Sequence, residues 1–136
     1  MVPRLGERRV GTVSGEVYVP PGWPARVRPS GTPDWESTAS AFLLDCCPAD
    51  YRGYPVLRRH PVVLARFAAE YVDSQLHAGG EGLAQLRSRL ADHVGVEVVQ
   101  AAVEALAEQN ARLARTRREV ALIEEALRGG VFIRKL

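Results

Sequence analysis

From His60 onward, the apolar residues fall into two heptad ladders. Val62, Ala69, Leu76, Leu83 and Leu90 stand seven apart, with Ala65, Val72, Gly79, Leu86 and His93 three positions after each. Beyond "HVGVE" a second ladder runs Val99, Leu106, Leu113, Val120 and Leu127, accompanied by Val96, Val103, Asn110, Arg117 and Glu124. A repeat of this kind marks helices that pack along one stripe. The ladders mirror each other about Val94–Gly95. Leu90 then faces Val99, Leu83 faces Leu106, Leu76 faces Leu113, Ala69 faces Val120 and Val62 faces Leu127. The pattern predicts an antiparallel α-hairpin over 61–128 with a turn near 94–95. Each arm, 61–93 and 96–128, would be roughly 50 Å long at 1.5 Å per residue.

"HAGGEG" interrupts the first arm with three glycines, each costing up to ~1 kcal/mol against alanine inside a helix. A break at Gly79–Gly80 would give three shorter helices in a compact bundle. The heptad phase nevertheless carries from Leu76 to Leu83, which a loop has no reason to preserve. A continuous, weakened helix is therefore expected, with Gly79 making room for Asn110 on the other arm.

Ahead of the hairpin, "GTPDWESTASAFLLDCC" has the signals of a short helix. Thr32 is the expected N-cap, Pro33 the first helical residue, and Asp34 and Glu36 the acids of the first turn. Trp35, Ala39, Phe42, Leu43 and Cys46 recur at helical spacing, and Pro48 ends the element. Leu64, Phe67, Ala68 and Tyr71 form a second apolar face on the first arm, suited to receive that short helix. The expected fold is mainly α: a short N-terminal helix packed on the base of a long antiparallel helical hairpin.

Residues 1–33 hold six of the nine prolines and read as an extended arm. Within it "RRVGTVSGEVYVP" fits a small β-hairpin turning at Ser14–Gly15, and "PPGWPARVRP" fits polyproline-like backbone. The organisation expected is one domain over 1–136. It comprises the arm 1–33, the helix and connector 34–60, the hairpin 61–128 and the tail 129–136, where "VFIRKL" could add a strand.

Composition changes this picture little. Apolar residues at 46% and charged residues at 25% are ordinary for a globular chain, and a net charge of +2 gives no general attraction to polyanions. All the basic residues but Lys135 are arginine, a bias that suggests GC-rich coding. No apolar run has the length of a signal peptide or a membrane span, so the expected location is cytoplasmic with no membrane partner. The adjacent Cys46 and Cys47 cannot bridge without strain and are expected as free thiols.

The connector "LLDCCPADYRGYPVLRRHPVVLARF" carries the densest chemistry. Cys47, His60, Asp45 and Asp50 supply the residue types of a nucleophile, base and orienting acid. Yet a thiol at a helix C-terminus meets a dipole that disfavours thiolate. Cys46, Cys47, His60, His77 and His93 lack metal-site spacing. No catalytic, cofactor or metal residue is expected.

Tyr51, Arg52, Tyr54, Arg58 and Arg59 do combine the side chains that dominate protein interfaces. The same residues also suit an ordered elbow whose rings cap the core and whose arginines pair with Asp45 and Asp50. Asn110, Arg117 and Glu124 are polar at seam positions. One buried Asn can fix register, and the other two need partners such as Asp45 or Asp73, a cleft or a second subunit. Asp92 and Glu97 flank the bend. They resemble the acid tips of bacterial hairpin factors that enter the secondary channel of RNA polymerase, in architecture alone.

"PPGWPARV", "PDWE" and "CPADYRGYPVLRRHPVVLARFA" together resemble a group of small uncharacterised proteins from actinobacteria. The resemblance spans most of the chain and is densest between Trp23 and Phe67. It implies a source and carries over no functional residue.

The function expected is that of a non-enzymatic interaction, adaptor or regulatory protein, working through the hairpin and the Tyr/Arg connector on a protein partner or a second copy. A nucleic-acid-associated regulator using the basic arm is the alternative, since residues 1–33 carry five arginines against two acids. A small enzyme stands third.

Overall fold

The computed structural model describes residues 18–134. The β-hairpin expected from "RRVGTVSGEVYVP" falls almost wholly on residues 1–17 and so lies outside the described part. Four α-helices and a short 3-10 turn follow. They are α1 (Trp35–Asp45), the turn Ala49–Gly53, α2 (Pro55–Arg59), α3 (Pro61–Leu90) and α4 (Val96–Leu127). No strand occurs among the described residues, and the tail over 131–134 has no regular structure.

Helix α1 begins later than its sequence signals indicate. Asp34, not Thr32, is the N-cap, and its φ of 63° lies in the left-handed region that Asp tolerates better than most side chains. Thr32 instead closes the preceding turn: its hydroxyl donates to the Pro29 carbonyl at 2.6 Å, and its own carbonyl accepts from Trp35 N–H at 3.2 Å. Pro33 therefore sits in a turn, outside the helix.

Two prolines shape the connector. A residue preceding proline is pushed out of the α region while proline itself suits a first helical position. Tyr54 (φ −97°, ψ 110°) and His60 (φ −128°, ψ 89°) are accordingly extended, and Pro55 and Pro61 open the next helices. The five-residue α2 is what fits between these breaks. It is fastened by Leu57, which is fully buried.

The hairpin forms as the heptads predict, with arms of 30 and 32 residues and a turn over 91–95. Helix α3 runs unbroken through Gly79, Gly80 and Gly82. The last expected layer does not form, because His93 lies in the turn and Val96 is 76% exposed.

The core occupies the base, with Val99 buried by itself near the bend. Leu43, Leu57, Leu64, Val72, Val120 and Ile123 are its largest fully buried side chains. The segment before α1 covers one side: Val27 is buried, and the Trp23 indole N–H donates to the Val27 carbonyl at 2.9 Å. Phe132 of the tail lies edge-on to Trp23 at 5.8 Å, so the tail packs by an aromatic contact and not by strand pairing.

Candidate functional site

Two surfaces merge where α1 ends: an aromatic elbow at the base and an open groove along the hairpin. Tyr51 is the hub of the elbow. Its ring meets Tyr54, Phe67 and Tyr71 edge-on at centroid distances of 6.4, 5.9 and 6.3 Å. Edge-to-face pairs at such distances add to plain area burial. Burial raises the Tyr51 hydroxyl above the usual phenol range, with the neighbouring Cys47 and Asp50 adding to the shift. Tyr54 and Phe67 form the outer, half-exposed rim of the cluster.

The elbow's charges are only partly committed. Asp45 accepts from Arg52 at 2.7 Å and from Arg26 at 3.1 Å, tying the segment before α1 to the connector. Arg52, followed by Arg26, holds the Asp45 carboxyl below its ordinary range. Arg26 also stacks over the Phe42 ring at 5.3 Å. Arg58 and Arg59 are exposed and make no ion pair among the described residues.

Above the elbow lies a groove of about 460 Å³. Tyr71, Ala78 and Gly82 of α3 form one wall, and Leu106, Gln109 and Leu113 of α4 the other, with Cys46 at its lower end. None of its lining residues carries a formal charge at neutral pH. Its floor is Asn110, whose Nδ2 donates to the Gly79 carbonyl at 3.0 Å across the seam. The Asn110 Oδ1 is buried without a donor.

The other seam polars behave differently from one another. Arg117 pairs with Asp73 on α3, yet Arg117 remains exposed and Asp73 only half-buried. Glu124 is 8% exposed and is held by Arg128 at 2.8 Å and Arg66 at 3.4 Å. Each polar seam residue thus has an intramolecular partner on the facing arm.

The thiols are ill suited to nucleophilic chemistry. Burial, reinforced by Cys47 and Glu119, pushes Cys46 up to about 12, and burial pushes Cys47 up to about 11. Both are free. No group of three or more His, Cys, Asp or Glu side chains among the described residues is arranged to hold a metal. None of the described helices is long and apolar enough to cross a membrane. Of the basic arm, Arg26 is bound to Asp45, while Arg4, Arg8 and Arg9 lie outside the described residues. At the bend, a Cβ placed on Gly95 would meet the Glu97 carboxylate at 2.8 Å. Glu97 therefore folds back over the start of α4, where a helix N-terminus favours an anion.

Sequence reasoning gathered Tyr51, Arg52 and Tyr54 but missed Phe67 and Tyr71 as their partners, and it missed the groove. A signal was available. Phe67, Tyr71, Gln75, Ala78 and Gly82 recur at spacings of three and four, which places them along one face of α3. No family model, curated protein or solved structure matches this chain.

Proposed function

We propose that this is a non-enzymatic interaction protein, in which the helical base positions the hairpin and elbow for a protein partner. One observation supports the reading above others: the packed core stops halfway along the hairpin. Beyond Val72 and Val120, Val99 is the one buried seam residue among the described ones, while Leu76, Leu83, Leu86, Leu106 and Leu113 remain half-buried. Helix α1 ends at Asp45, and Cys46 just beyond it lines the groove. A two-helix layer without further cover leaves apolar surface in water, at roughly 25 cal/mol per Å². A protein partner would remove that surface from solvent.

The test combines light scattering with affinity capture. A partner retained by the wild-type chain but lost by Leu106→Glu, with unchanged circular dichroism, is the expected result. A chain that stays strictly monomeric at micromolar concentration and retains nothing that Leu106→Glu loses would overturn the reading.

A further inference from the structure

We propose that the elbow docks a protein segment of one chemistry: an aliphatic or aromatic anchor flanked by carboxylates. This rests on the interaction reading above and names the class of partner the base would take.

Three large apolar side chains project here, Tyr54 at 52%, Val56 at 50% and Phe67 at 44% exposure. Tyr54 and Phe67 lean on the same Tyr51 ring, at 6.4 and 5.9 Å, so they stand as two walls on a shared support. Rings held in this way lose little freedom on binding, which lowers the cost of association. Buried Leu57 pins α2 and with it the positions of Val56, Arg58 and Arg59.

The guanidiniums share the short α2 segment with the apolar groups. Arg59 follows Val56 by three residues within α2, a spacing that brings helical side chains together, and Arg58 lies on the same five-residue helix that Tyr54 caps. Arg52 is engaged by Asp45, and Arg66 by Glu70 and Glu124. Among the described residues that leaves Arg58 and Arg59 without an ion pair beside one exposed acid, Asp50, so the uncommitted charge there is positive. Guanidiniums recognise carboxylates in two-point geometry, and they gain most beside surface that becomes desolvated.

A protein segment fits better than nucleic acid. Two uncommitted guanidiniums displace few counterions from a phosphate backbone.

The experiment selects binders from a random peptide library displayed on phage, using the full chain as bait. Selected peptides are expected to combine Asp or Glu with a Leu, Ile, Phe or Trp. Their affinity, read by fluorescence anisotropy, should fall by about tenfold or more in Tyr54→Ala and in the Arg58→Glu/Arg59→Glu variant. The arginines are exposed, so circular dichroism should not change. Peptides without acidic enrichment, or binding indifferent to these substitutions, would overturn the inference. So would tighter binding of an oligothymidylate through the same residues at ~150 mM salt. Peptides lost by Leu106→Glu but not by Tyr54→Ala would sink the elbow inference while leaving the interaction reading intact.

Discussion

Asn110 lies on Gly79 across the hairpin. Its Nδ2 donates to the Gly79 carbonyl at 3.0 Å, and a Cβ added at Gly79 would stand 3.0 Å from Asn110 Cγ and overlap Oδ1 outright. The glycine is thus the seat of the asparagine, and the pair locks one arm's register against the other. A slip by one heptad would set the amide against Val72 or Leu86 and leave more than Oδ1 unsatisfied.

That geometry separates two adjacent glycines. Gly80→Ala meets nothing within 4 Å and should stabilise the protein by up to ~1 kcal/mol through helix propensity. Gly79→Ala should destabilise it despite the same propensity gain. Adding Asn110→Ala to Gly79→Ala should recover most of the loss. Urea unfolding of the four proteins, analysed as a double-mutant cycle, checks this. Equal stabilisation at both glycines would contradict the seat.

Base and tip should respond unequally to truncation. Leu64→Ala empties a fully buried site and should cost ~2–5 kcal/mol. Leu83→Ala, on the half-buried seam, should cost less than half as much, because part of its surface already faces water. Urea midpoints at constant slope measure the contrast.

Acid should weaken the elbow through Asp45. Its folded pKa lies below the ordinary 3.8, so its contribution is present above that value and is lost as pH falls through the folded pKa. Asp45→Asn should therefore flatten the decline in stability below about pH 4, and change little above pH 5 beyond a constant offset. Thermal midpoints of both proteins from pH 2 to 7 decide it; parallel profiles would refute the assignment.

The thiols should be slow. With Cys46 near 12 and Cys47 near 11, the thiolate fraction at pH 8 is far below that of an ordinary cysteine. Iodoacetamide should alkylate the folded protein much more slowly than the urea-unfolded chain, as followed by mass spectrometry. Fast labelling of the native protein would show that burial does not govern them.

The connector shows why legibility stopped where it did. Periodicity exposes long elements, since many residues repeat the same message, and so both arms of the hairpin could be read from their ladders. Five-residue α2 and the 3-10 turn offer too few positions for a period to emerge. Their sequence marks are Pro48, Tyr54–Pro55 and His60–Pro61, which signal breaks without naming what lies between. At α1, the Thr32–Pro33 signal was overridden because Asp34 turned left-handed and gave Thr32 to the previous turn.

What the sequence alone determined is the hairpin and its register, because a short turn about Val94–Gly95 allows the heptad ladders one alignment and that alignment sets Gly79 opposite Asn110. Which seam polars would be buried was decided only by tertiary packing. Glu124 and Arg117 occupy equivalent heptad positions, yet the former is enclosed by Arg66 and Arg128 and the latter stays in water beside Asp73. The union of Tyr51 with Phe67 and Tyr71 was likewise settled in three dimensions. Contacts between remote segments depend on where the chain turns, and a linear pattern does not encode that.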